Sequence, residues 1–157
     1  MVVLILCEKA VAIKRDPYDS KQKIHHRFEL TTSKTPAATA LIFADQHLTY
    51  QQLNQSANQL AHHLQDCGVQ PGDIVAVCQE RSIDLVVSLF AVWKAGAAYL
   101  PLDPGLPGQR LSRIIDLSRT PLLVCTRACH AQALALLDEF GCASRPRLLV
   151  WEEVQAS

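Results

Sequence analysis

Trp93-Lys94-Ala95-Gly96-Ala97-Ala98-Tyr99-Leu100-Pro101-Leu102-Asp103-Pro104 is the stretch whose reading decides the fold. It reads as a helix end, a glycine stop, a short apolar strand and a rigid exit. Lys94 places a cation where the helix dipole is negative, and Gly96 suits the left-handed conformation just past a last turn. Ala97 to Leu102 is an apolar run of strand length, and Pro101 and Pro104 predict the end of sheet hydrogen bonding.

Working back, Ile83 to Lys94 is apolar almost all round, through Leu85, Val86, Val87, Leu89, Phe90, Val92 and Trp93. Such a helix, here predicted over 83–95, is buried on more than one side. Ser82 is placed to cap it, and Asp84 sits at the favourable end of its dipole. Before it, Pro71-Gly72-Asp73 signals a turn, and Ile74 to Cys78 is an apolar run without alternation, as in a parallel strand covered on both faces. Strand, helix and strand make a βαβ unit, expected to be right-handed.

Further back, Thr49 and Gln52 have the spacing of a capping box, with Leu48 and Leu53 in the staple positions. Leu53, Ala57, Leu60, Ala61 and Leu64 recur at helical spacing and Gly68 closes the segment, predicting a helix over 50–67. Ala38 to Ala44 predicts a strand, turning at Asp45-Gln46 into a brief return strand. His25, His26, Phe28 and Leu30 suggest a short helix ended by Thr35-Pro36. Adjacent histidines point to different faces of a helix, so they read as an exposed turn, not as ligands.

Working forward, Pro107 suits a first helical turn, and Leu111, Ile114 and Ile115 form one apolar face of a helix over 108–118. Arg110 and Arg113 lie three apart on it and read as solvated or salt-bridged; spacing alone does not make a phosphate site. Residues 121–126 predict a strand. Leu134, Leu137 and Phe140 fall in register for a helix over 128–140 stopped by Gly141. Leu148 to Trp151 predicts a last strand. The alternation of apolar runs with capped helical segments predicts an α/β fold, a mostly parallel sheet flanked by helices.

Composition bounds the function. The 157 residues are 49% hydrophobic and 19% charged, below the roughly 25% charge of soluble domains, which suggests faces meant to be covered by more protein. Fifteen basic and fifteen acidic residues give zero net charge, so there is no electrostatic footprint for nucleic acid or an anionic membrane. Cys7, Cys67, Cys78, Cys125, Cys129 and Cys142 show no paired metal-ligand spacing, and Cys78 and Cys125 fall inside apolar strands. They read as reduced, buried thiols. Val2 to Cys7 is too short for a signal-peptide core or a membrane span, leaving residues 1–23 as a leader or linker and the cytoplasm as the default location.

Lys94 through Pro104, with Ala95, Gly96, Tyr99, Pro101 and Asp103, resembles the second core motif of amino-acid adenylation domains of non-ribosomal peptide synthetases. These are adenylate-forming ligases, related to acyl-CoA synthetases and luciferases. Leu48, Thr49, Tyr50 and Leu53 are similar to the first core motif, Leu-Thr/Ser-Tyr-x-x-Leu. His25 to Phe28 and Thr35-Pro36 match the usual opening, and Leu106 to Leu111 resembles Tyr-Pro-x-x-Arg-Leu, with leucine replacing the aromatic.

The resemblance implies that residues 24–157 are the opening part of a large N-terminal lobe, truncated before the family's phosphate loop. It implies that the intact domain uses ATP and magnesium to form an aminoacyl adenylate. The acyl group then passes to the phosphopantetheine thiol of a carrier domain, beside condensation domains. It implies structural roles for both motifs, no catalytic residue and no cofactor bound by this chain. An acyl-CoA ligase fragment and a non-catalytic interaction module keeping the fold are the alternative expectations.

Overall fold

The computed structural model describes residues 24–138, 143 and 145–155. In chain order the elements are α1 (Ile24–Lys34), β1 (Thr39–Phe43), β2 (Gln46–Thr49), α2 (Tyr50–Asp66), β3 (Ile74–Cys78), α3 (Ile83–Lys94) and β4 (Ala98–Leu102). They continue with α4 (Gly108–Ser118), β5 (Leu122–Cys125), a 3₁₀ turn (Arg127–Cys129), α5 (His130–Asp138), β6 (Arg147–Val150) and α6 (Trp151–Gln155). The leader or linker expected over residues 1–23 lies outside the described residues.

The strands β4-β3-β5-β6 form one sheet in that spatial order, every pair parallel, while β1 and β2 make a separate antiparallel hairpin. The chain starts this sheet in its interior at β3, steps outward to β4, then crosses back past β3 to β5 and β6. Side chains alternate across the sheet. Val75, Val77, Leu122, Val124 and Leu149 face a core with α1, α2, α3 and α6. Ala76, Cys78, Leu123, Cys125 and Val150 face a second core with α4 and α5. Both faces are covered, which is why the strands read as unbroken apolar runs.

Local chemistry sets the boundaries. Thr49 Oγ1 accepts from the Gln52 N–H and Gln52 Oε1 accepts from the Thr49 N–H, so the capping box forms. Ser82 Oγ accepts from the Leu85 N–H at the start of α3. Two helices end alike. The Gly68 and Val69 amides donate to Gln65 and Leu64 carbonyls, and the Gly96 and Ala97 amides donate to Trp93 and Val92 carbonyls. Both are Schellman turns with a left-handed glycine, φ +94° at Gly68 and +82° at Gly96. No residue of α3 is exposed, in line with its all-round apolarity.

Three expectations need correction. Pro101 does not stop the strand: β4 runs through it to Leu102, because an edge strand can leave one backbone position without an N–H. The helix expected over 128–140 begins as a 3₁₀ turn. Its buried face is Ala133, Leu136 and Leu137, while Leu134 is 40% exposed. Phe140 and Gly141 lie outside the described residues. Trp151 is not in the last strand; it opens α6, fully buried, and its Nε1–H donates to Asp84 Oδ1 at 2.9 Å, tying α6 to the first turn of α3. The helix expected from His25 stops before Thr35-Pro36 as predicted, with Phe28 as its buried anchor and Leu30 52% exposed.

Candidate functional site

The two motifs separate once the chain folds. The first is internal support. Leu48 packs on the core from the end of β2, Thr49 caps α2, Leu53 is buried, and Tyr50 lies against Phe28 with ring centroids 5.8 Å apart. Phe28 in turn packs on Phe90 of α3 at 4.3 Å, so α1, α2 and α3 share one aromatic contact region.

The second motif divides at Gly96. Its first half is a junction. Lys94 pairs with Glu29 of α1, and its side chain is nearly buried. That hydrogen bond holds the Glu29 carboxyl below its ordinary value of 4.5, with the Lys94 charge adding to the effect against the opposing cost of burial. Ala95 is buried at the helix cap. A side chain at Gly96 would meet Pro71 at 3.2 Å, and the Gly96 carbonyl accepts from the Gly72 N–H at 2.9 Å. The turn before β3 and the turn before β4 are locked together there.

The second half opens on space. Tyr99, Pro101, Asp103 and Pro104 line a cleft of about 430 Å³ at the carboxyl ends of β3 and β4, with Gln79 to Arg81 and Leu85 on the other side. In open parallel sheets the crevice outside the carboxyl ends of the strands is where ligands bind. Asp103 is used within its own turn: its Oδ1 accepts from the Gly105 N–H at 2.9 Å and its carbonyl accepts from the Leu106 N–H at 3.0 Å. The Pro104 carbonyl accepts from Gln132 Nε2 of α5, which fixes the floor of the turn. Burial pushes the Tyr99 hydroxyl up from its ordinary range, so it stays protonated.

Gln79 was missed by sequence reasoning, which assigned it no role. It is 5% exposed, lines the cleft, and neither its Nε2 nor its Oε1 has a hydrogen-bond partner among the described residues. The available signal was position: the first residue past an all-apolar parallel strand lies at the sheet's carboxyl edge. Around it the lining holds a phenol, the carboxylates of Glu80 and Asp103, and Arg81. None of these groups is a thiol, an amine or a hydroxyl with a base beside it, so the cleft holds no activated nucleophile.

None of the four described cysteines, Cys67, Cys78, Cys125 and Cys129, lines the cleft. Cys78 and Cys125 are buried, and burial is the main cause that pushes both thiols up to about 12. Among the described residues no group of three or more His, Cys, Asp or Glu side chains gathers as a metal site. Arg110 and Arg113 are exposed on α4. No described helix is long and apolar enough to cross a membrane.

Comparison with known proteins fits this arrangement. The AMP-binding enzyme family matches residues 28–154. A linear gramicidin synthase polypeptide of Brevibacillus parabrevis is 43% identical over 108 residues, covering 69% of this chain and 2% of that protein. Malpinin synthetase of Mortierella alpina is 39% identical over 126 residues, covering 80% of this chain and 2% of that protein. Across the curated relatives compared, the chain spans between 1% and 5% of their length. Among solved structures, the nonribosomal peptide synthetase FmoA3 bound to alpha-methyl-L-serine-AMP superposes with a TM-score of 0.71 at 26% identity, over 82% of this chain and 14% of that one. The N-terminal subdomain of Klebsiella oxytoca NpsA, in complex with 3-hydroxyanthranilyl-AMSN, gives 0.72 at 23% identity, over 85% of this chain and 32% of that one, a likeness of fold alone. With its family match running from α1 into α6 and its motifs placed at the junction and the cleft, the chain belongs to the AMP-binding enzyme family, in the branch of the nonribosomal peptide synthetase adenylation domains.

Proposed function

We propose that residues 24–157 are the opening part of the large lobe of an amino-acid adenylation domain, with residues 1–23 a leader or linker. The intact domain would bind ATP with magnesium, join the amino-acid carboxylate to the α-phosphate and release pyrophosphate. The aminoacyl group would then pass to the phosphopantetheine thiol of a peptidyl carrier domain, with a condensation domain as the further neighbour. The observation that carries this reading is the family match over 28–154, which spans all four strands of the parallel sheet and both motifs.

Within that reaction the work of this chain is structural. Leu48, Thr49, Tyr50 and Leu53 set the start of α2, and Lys94, Ala95 and Gly96 fix the α3–β4 corner. Tyr99, Pro101, Asp103 and Pro104 shape the exit of β4. Stabilising the charge that develops in phosphoryl chemistry needs positioned donors around the phosphates. The sequence holds only six glycines, no two of them closer than three positions, and no Gly/Ser/Thr-rich loop. The 157-residue polypeptide is therefore expected to catalyse no amino-acid-dependent exchange of labelled pyrophosphate into ATP across the standard amino acids. Exchange above background that follows the polypeptide through further purification would overturn the scaffold reading.

A further inference from the structure

α1 is held on by little, and what it covers is aromatic. Six of its eleven residues are exposed and only Phe28 and Thr32 are buried, whereas α3 beside it has no exposed residue. A helix this short does not persist alone in water. Histidine, phenylalanine, threonine and serine are weak helix formers. The hydroxyls of Thr31, Thr32 and Ser33 also donate to the carbonyls of Arg27, Phe28 and Leu30, which competes with the regular ladder. α1 therefore keeps its shape only while docked on α2 and α3. Its main attachments are the Phe28 ring, 4.3 Å from Phe90 and 5.8 Å from Tyr50, and the Glu29 carboxylate on Lys94. The chain just beyond it is fixed. The Gln51 and Tyr50 amides donate to the Pro36 and Ala38 carbonyls at 3.0 and 2.9 Å, tying that root to the first turn of α2.

We propose that α1 is a releasable strap, which detaches as a unit at Thr35-Pro36 while α2, α3 and the parallel sheet stay folded. Closed, it covers the Phe90 ring and pairs the Lys94 ammonium. Open, it bares Tyr50, Phe90 and Trp93, the last edge-on to Phe90 at 5.6 Å, beside a lysine whose side chain is otherwise 6% exposed. Segments with few buried side chains open at lower free energy than the core around them. Release forfeits one buried ring and returns both members of the ion pair to water, so no unpaired charge is left inside. The strands keep their own ladders and the α4–α5 core behind them. The device belongs to residues 24–34 and stands apart from the adenylation reading.

The test is amide hydrogen exchange of the full chain, read by nuclear magnetic resonance under native conditions. The Glu29 to Thr35 amides are expected to share one protection factor, about a hundredfold or more below those of Val75 to Val77 and Leu123 to Val124. Phe28→Ala is expected to lower the α1 value by about tenfold or more and to leave the sheet values in place. If the alanine variant does not fold, Phe28→Leu should give a smaller drop confined to the same amides. Lys94 supplies a reading outside α1: its acetylation by acetic anhydride, followed by mass spectrometry, should quicken in the Phe28 variant by a factor similar to that of the α1 amides. Exchange of α1 at the sheet's own rates, or protection that climbs steadily from Glu29 to Thr35 as in fraying, would overturn the proposal. So would a Phe28 variant that lowers sheet and α1 alike, or Lys94 labelling indifferent to it. None of these readouts depends on adenylation activity, so failure here leaves the family reading untouched.

Discussion

On one face of the parallel sheet, α2 and α3 begin with side-chain caps at Thr49 and Ser82 and end in glycine Schellman turns. On the other, α4 begins at Pro107 without a side-chain cap and ends on Arg119, a residue with a Cβ held at φ +51°. α5 there is entered through a 3₁₀ turn. Both faces are equally buried, with Leu60 and Leu64 at 0% exposure on the first and Leu111 and Ile115 at 0% on the second. The difference teaches that the first face is written into local sequence, while the second is held by packing onto a sheet that already exists. Helices without good ends depend on tertiary contact for most of their stability.

The sharpest way to break this comparison is at the α3–β4 corner. Gly96→Val meets two penalties: a β-branched residue at positive φ, and a close approach to Pro71 at 3.2 Å. Gly68→Val meets only the first, since nothing lies within 4 Å of an added Cβ there. The expected loss from urea denaturation is about 3–4 kcal/mol for Gly96→Val and about 1–2 kcal/mol for Gly68→Val. Equal losses at the two sites would show that contact with Pro71 contributes nothing.

The second face offers the opposite sign. Arg119→Gly relieves left-handed strain at the end of α4, offset in part by the greater freedom of glycine in the unfolded chain. A net gain of about 0.5–1 kcal/mol is expected, read as a raised urea midpoint with an unchanged slope. A loss would mean that the Arg119 side chain holds something the helix end needs.

The Glu29–Lys94 pair gives a smaller, pH-dependent effect. Because the folded carboxyl is depressed, its contribution is present above the ordinary value of 4.5 and is lost as pH falls through the lower folded value. The Glu29 side chain is 43% exposed, so solvent screening keeps the contribution below about 1 kcal/mol. The stability difference between the parent and Glu29→Gln should therefore be present at neutral pH and vanish in acid. A difference that persists in acid would assign the effect to packing of α1 on α3.

How much could be read in advance follows the same division. Thr49, Gln52, Ser82 and Gly68 act on neighbours within five residues, as Gly96 does in closing α3, so those roles were legible as spacing, whereas the approach of Gly96 to Pro71 was not. Contacts between distant segments left no such trace. Thr120 Oγ1 accepts from the Ala76 N–H at 3.1 Å and donates to the Ile74 carbonyl at 2.6 Å, bracing β3 from 44 and 46 residues away. Trp151 on Asp84 and Lys94 on Glu29 are of the same kind. An aromatic after three apolar residues, Trp151 has the composition of a strand, yet its indole N–H finds its acceptor in Asp84 of α3, 67 residues away. The apolar periods located the strands. The cleft depended on which strand ends lie side by side, and one-dimensional spacing does not state that order.

The central claim is that this chain supplies the frame of an adenylation domain and leaves the chemistry to the rest of it. The most direct measurement replaces the matching opening segment of an active adenylation domain with residues 28–154 and follows amino-acid-dependent pyrophosphate exchange. A frame should be exchangeable: the chimera is expected to keep its host's amino-acid preference and to retain exchange within about tenfold, or about 1.4 kcal/mol in barrier. A folded chimera without exchange, or one whose preferred amino acid has changed, would contradict the account.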